Sequence, residues 1–205
     1  MNMKKILSTI SLIVLMVVCF VPGLLLAESP GPQASVQHLL GEIRQIKSGK
    51  NLSSQIEAEN QKHSHSALSL LNVTEISKKA LGKYWAKHSD SEQKKFATLL
   101  GELFVHVAFP SSAKFFADLN IIYGKIKEEK PRVVVPLTVV HEKEGEVGID
   151  FHLIQTEGKW QVVDVILDGV SMRNNLRSQF YKVISNNDFN KLTHRMEKKL
   201  EDAKR

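Results

Sequence analysis

The hydrophobic pattern of this chain changes period near Leu119, and that change constrains the fold more than any other feature. Before it, apolar residues recur every three or four positions, as on one face of a helix; after it they alternate, as on a strand. Helical spacing returns near Met172. The alternating segments are joined by links too short to hold a crossover helix, so their strands run antiparallel. Helices, then strands, then helices specify an α+β domain rather than a doubly wound sheet.

Val36, Leu39, Leu40, Ile43 and Ile46 predict a first helix that closes at Gly49, and a more polar one follows over 52–71. Asn72 with Glu75 reads as the cap of a third helix ending near Lys87. Ser89 with Glu92 is a stronger capping box and opens the most apolar helix, striped by Phe96, Leu99, Leu100, Leu103, Phe104 and Val107. Pro110 is expected to interrupt it, because proline lacks the amide donor and clashes with the preceding turn. A short helix bearing Phe115 and Phe116 then completes a helical region over 34–119.

Four strands are expected over 121–130, 132–143, 146–157 and 159–167, with turns at Gly145 and at Glu157-Gly158. Val147, Ile149, Phe151 and Leu153 alternate against Gly148, Asp150 and His152. By contrast, Val133, Val134 and Val135, and Val162, Val163 and Val165, place apolar groups on both faces. Such strands need cover on each side, from helices or from a ligand. Helices over 172–203 finish the chain, the last one heavily charged.

Composition matters most at the N-terminus. Lys4 and Lys5 precede an almost unbroken apolar run to Val21, followed by Pro22-Gly23 and Leu25-Leu26-Ala27. That order predicts a signal peptide over 1–27 and a single domain over 28–205, exported to the periplasm. A retained anchor is the alternative, since the run is long enough to span a bilayer. Cys19, the one cysteine, lies inside the apolar run, so no disulfide framework or cysteine zinc site is available. The formal charge of +6 falls to +4 without Lys4 and Lys5. Nucleic acid is therefore not expected as a partner, whereas acidic lipid headgroups are plentiful in that compartment.

No glycine-rich phosphate loop of nucleotide-binding spacing and no Gly-x-Ser-x-Gly elbow occurs. His63 and His65 would point to different sides of a helix and so make a poor metal pair. Asp164, an acid inside an apolar strand, has two readings. It is a base with raised pKa in a hydrophobic pocket, or a structural acid bonded to backbone groups or to Arg173 or Arg177.

Ala80-Leu-Gly-Lys-Tyr84-Trp85 and Ser91-Glu-Gln-Lys-Lys-Phe96 carry a family likeness. So do Gly158-Lys-Trp160-Gln-Val-Val-Asp164-Val165, Asp168-Gly-Val-Ser171 and Asn175-Leu-Arg177-Ser-Gln-Phe180. In order and spacing they resemble the MlaC-type, toluene-tolerance family of auxiliary ABC transporter proteins over residues 35–200. The resemblance implies an NTF2-like curved antiparallel sheet wrapped by helices around an apolar cavity. It implies no enzyme and no cofactor: a monomeric periplasmic carrier that buries the tails of a glycerophospholipid. Its implied partners are an inner-membrane ABC transporter complex with a substrate-binding membrane subunit, and an outer-membrane lipoprotein complex. A hopanoid-type or other polycyclic lipid is an alternative cargo. An enzyme using Asp164, and an adaptor whose groove binds a protein segment, are alternative classes.

Shared periodicity gives the expected lining: Leu99, Leu103 and Val107 facing Val135, Leu137, Ile149, Phe151, Val163 and Val165, with Tyr84 and Trp85 near one end. The bland alternative is a close-packed dry core. Arg177 is expected at the mouth, for headgroup contact or docking, unless it pairs with Asp164.

Overall fold

The computed structural model describes residues 30–49, 51–141 and 145–205; the expected signal segment and Cys19 lie outside them. Helices α1 (Pro32–Gln45), α2 (Ser54–Ser69) and α3 (Val73–Leu81) lead through a 3-10 turn (Gly82–Lys87) to α4 (Asp90–Leu103). A π turn (Phe104–Ala108) joins α4 to α5 (Phe109–Phe116). Strands β1 (Asn120–Tyr123), β2 (Lys127–Glu129), β3 (Arg132–His141), β4 (Gly145–Thr156), β5 (Lys159–Leu167) and β6 (Val170–Ser171) follow, then α6 (Met172–Asn186) and α7 (Phe189–Ala203). The sheet is antiparallel in the order β1-β3-β4-β5-β6, with β2 also paired to β3. The fold is α+β, as expected, with more strands than the four the alternation suggested.

Local chemistry accounts for the element boundaries. Both halves of the Ser89–Glu92 capping box form, and the Asn72 side chain accepts from the Glu75 amide at 3.0 Å. Glu157-Gly158 and Asp168-Gly169 each hold two consecutive positive φ angles. That geometry matches the right-handed twist of the strands they join.

Four expectations are corrected. The third helix gives way to a 3-10 turn at Gly82, where φ is +49°. Pro110 does not end the helix before it: in the π turn the Phe109 amide donates to the Phe104 carbonyl, and helical backbone continues from Asp90 to Phe116. The widened turn takes up the register that the proline disrupts. This 27-residue run is long and apolar enough to span a bilayer, yet Phe96, Leu100, Phe109 and Phe116 are buried in the protein's own cores. The expected strand over 121–130 is two strands. The Gly124 amide donates to the Pro136 carbonyl at 2.8 Å, but Pro136 has no amide to return the bond, so pairing breaks there.

The fourth correction concerns β5. His152 pairs with Asp164 but Leu153 pairs with Val162, leaving Val163 as the extra residue of a bulge. Trp160, Val162, Val165 and Leu167 therefore all pack in one core, while Val163 at the bulge and Asp164 on the other face are buried as well, so β5 is covered on both sides. β3 is too: Val133, Val135, Leu137 and Val139 share a face by register, and Val134 on the other face is also buried.

Two apolar cores result. One joins α1 and α5 to the inner face of β3, β4 and β5; the other joins α3, α4, α6 and α7. Leu71 and Phe104 pack against both. Arg44 fastens α1 to the end of α5, its guanidinium donating to the Phe116 carbonyl at 3.0 Å and to the Leu119 carbonyl. A cation at the carbonyl end of a helix also suits the helix dipole.

Candidate functional site

The first core is not closed. A cleft of about 550 Å³ remains between the inner face of the sheet and the helices. The sheet contributes Ile149, Phe151, Val165 and Leu167, and α1 contributes Leu39, Leu40 and Ile43. Phe104, Ala108, Phe109, Phe115 and Phe116 line the opposite wall, with Met172 and Leu176 from α6. Its polar groups are neutral: Ser111, Ser112, Asn175 and Gln179, where the Gln179 amide donates to Asn175 Oδ1 at 3.0 Å. No charged side chain lines it. An ion inside would find no counter-charge, whereas a hydrocarbon would lose only water.

Of the residues expected to line a cavity, Ile149, Phe151 and Val165 do so. Val135 and Leu137 share their face but are closed over in the core, and Val163 is buried at the bulge. Leu99 and Leu103 belong to the second core, and Leu103 and Val107 line a separate chamber beside α6 and α7. Tyr84 and Trp85 lie off the cleft, Tyr84 edge-on to Tyr181 with centroids 4.9 Å apart and Trp85 packed on the second core. Sequence reasoning missed the contribution of α1 and α5. The stripe from Leu39 to Ile43 and the paired Phe115 and Phe116 were visible as core signals, but nothing local distinguishes a wall from a core.

Arg177 also lies off the cleft. It sits over the Tyr181 ring, 5.1 Å from its centroid, and donates to the Tyr181 hydroxyl at 3.3 Å. Both side chains cover Gly82, where a Cβ would strike the Tyr181 hydroxyl and approach the Arg177 guanidinium at 3.1 Å. With φ at +49°, Gly82→Ala combines backbone strain with displacement of this pair. It should cost about 2 kcal/mol in a denaturant melt.

Asp164 pairs with His152 and faces away from the cleft, since the adjacent pair, Phe151 and Val165, defines the inner face. It is buried, and its oxygens are fully engaged. Oδ1 accepts from the Val165 and Arg173 amides at 2.9 and 3.0 Å; Oδ2 accepts from Ser171 Oγ at 2.7 Å and pairs with the Arg173 guanidinium at 3.3 Å. Of its two expected arginine partners the structure selects Arg173. The carboxylate ties the start of α6 to β5.

His63 and His65 do not converge: His63 Nδ1 lies 2.6 Å from the Glu42 carboxylate, and His65 faces a different hollow. Among the described residues no three His, Cys, Asp or Glu side chains are grouped to hold a metal. The hollow at His65 is larger, about 650 Å³, but its walls include Lys47, Glu57, Glu102, Lys114 and Lys204. Such walls disfavour an apolar ligand. There, burial and then the Lys204 ammonium hold the His106 imidazole below its ordinary value of 6.5, against the opposing pull of Glu102. The unfolded chain then takes up this proton more readily than the folded one. Stability from a neutral His106 is full above the ordinary value and is lost as pH falls through the lower folded one. His106→Gln should flatten the fall in melting temperature between about pH 7 and pH 5.

The geometry defines a class: an α+β protein whose bulged antiparallel sheet and flanking helices leave an uncharged apolar cleft. Residues 36–198 match the family described as MlaC protein, and the chain belongs to that family. Among solved structures, it is similar to the phospholipid-binding protein of Ralstonia solanacearum, determined in complex with a phospholipid. The TM-score is 0.69 at 17% identity, over 86% of this chain and 100% of that one. A comparison with curated proteins finds no match.

Proposed function

We propose that this protein is a periplasmic carrier of glycerophospholipid. The observation that carries this reading is the cleft of about 550 Å³, walled by aliphatic and phenylalanine side chains and ringed by neutral polar groups. Such a site binds by apolar area and leaves a charged headgroup in water. The similarity to a protein solved with a phospholipid supports the same cargo. A carrier of this kind answers a physical need. At about 0.8 kcal/mol per methylene, two acyl chains of about sixteen carbons would cost about 20–25 kcal/mol if moved bare through water.

Export rests on the order of charge, apolar run and small residue over 1–27. Family membership supports, as partners, an inner-membrane ABC transporter complex, which would supply any ATP hydrolysis, and an outer-membrane lipoprotein complex. An enzymatic role for Asp164 draws no support from its position on the outer face of the sheet.

Native mass spectrometry of the protein purified from its own cell envelope tests this reading. Co-purified diacyl phospholipid is the expected result. A polycyclic lipid would change the cargo, and a lipid-free protein that also takes none from vesicles would overturn the carrier.

A further inference from the structure

Around Gly82, three exposed cations gather on two tyrosine rings. Tyr84, in the 3-10 turn after α3, and Tyr181, on α6, meet edge to face. The Lys83 ammonium lies against both, 5.3 Å from the centre of the Tyr84 ring and 5.7 Å from that of Tyr181. The Lys87 ammonium lies 5.5 Å from the Tyr84 centre, and the Arg177 guanidinium 5.1 Å from the Tyr181 centre. Among the described residues, the ion pairs of lysine and arginine engage Lys79, Lys95, Arg173, Lys204 and Arg205; none includes Lys83, Lys87 or Arg177. The Tyr181 hydroxyl accepts from the Lys83 amide at 3.1 Å and from Arg177 at 3.3 Å, so its own proton is left to donate. Burial alone would raise the Tyr181 phenol, yet the Lys83 amide, the Arg177 guanidinium and the Lys83 ammonium hold it below its ordinary value of 10. Negative charge is favoured at this spot.

The patch lies on the side of α6 away from the cleft. Asn175 and Gln179 line the cleft, whereas Arg177 and Tyr181 each stand two residues further on, about 200° round the helix. A surface held there leaves the cleft uncovered. Cations of this kind attract either an acidic protein segment or an anionic bilayer, and the tyrosines favour the bilayer. A tyrosine ring sits at the level of the headgroups, while lysine and arginine lay their stems along it and reach phosphate. We propose that Lys83, Lys87, Arg177 and the two tyrosines form a docking patch for an anionic phospholipid bilayer, on which the protein rests with its cleft open. A few cations hold far less firmly than an inserted helix, so the attachment is reversible. Docking does not rest on the carrier reading, because patch and cleft occupy opposite sides of α6.

Co-flotation with vesicles, using protein purified from the cell envelope, tests this. The wild type should float with vesicles of mixed phosphatidylglycerol and phosphatidylcholine, and not with phosphatidylcholine alone. Each lysine near an anionic surface contributes about five-fold in partitioning, so Lys83→Gln with Lys87→Gln should lower it about twenty-five-fold. Lys125→Gln with Lys127→Gln removes the same charge beside β2, at the far edge of the sheet from α6, and should lower it less than about two-fold. All four lysines are exposed, so both double variants should melt with the wild type. Lipid carried per chain, counted by native mass spectrometry, should be equal in all three proteins. Flotation with phosphatidylcholine alone, equal loss in the two double variants, or loss of cargo together with flotation would overturn the proposal. A wild type that ignores anionic vesicles would also overturn it and assign the patch to an acidic protein segment. A wild type that floats with anionic vesicles but neither carries nor takes up lipid would uphold the patch and overturn the carrier reading instead.

Discussion

Val165→Trp is expected to empty the protein of phospholipid while leaving it folded. Val165 is half-buried on the inner face of β5, opposite Phe151, and its side chain projects into the cleft rather than into closed core. An indole there occupies space that the cargo needs. Overpacking a closed core costs about 1–3 kcal/mol, and a site bordering empty volume should sit at the low end of that range. Expelling even a few methylenes at about 0.8 kcal/mol each lowers affinity by well over ten-fold. Lipid counted per chain, alongside a thermal melt, checks this. A folded Val165→Trp protein that still holds phospholipid would place the cargo elsewhere.

Asp164→Ala should produce the opposite pattern, a large loss of stability with cargo retained. The truncation leaves two backbone amides and the Ser171 hydroxyl without their acceptor, and strands the Arg173 guanidinium, whose side chain is 15% exposed. Breaking one side of a buried ion pair typically costs about 3–5 kcal/mol. Asp164→Asn keeps the shape and part of the bonding, so about 1–3 kcal/mol is expected. Because Asp164 lies on the outer face of the sheet, lipid retained per folded molecule should be unchanged in both variants. Full stability with complete loss of function in Asp164→Asn would revive a chemical role for the carboxylate.

These two residues also show how far local reading reaches. Phe151 was legible as a wall candidate because the alternation along β4 is regular and places one side chain in two on the inner face; Val165, on β5, joins it there by pairing with Phe151. Asp164 was legible as unusual because an acid in an apolar strand needs partners. Which arginine answers it was not, since Arg173 and Arg177 stand one helical turn apart and only the packing of α6 separates them. Val163 was misassigned because a single inserted residue shifts every later side chain to the other face, and a bulge carries no composition signal of its own.

By itself the sequence determined the α+β class, the antiparallel connectivity, the Asn72 and Ser89 helix caps and the Glu157-Gly158 turn. Each of these depends on residues within a few positions of one another. Tertiary structure alone decided that Pro110 is absorbed by a π turn, that Pro136 splits the first strand, and that Arg177 covers Gly82 rather than the cleft. It also decided which apolar residues are wall and which are core. Hydrophobicity and period are the same for both, and the difference is whether another element arrives to fill the space in front of them.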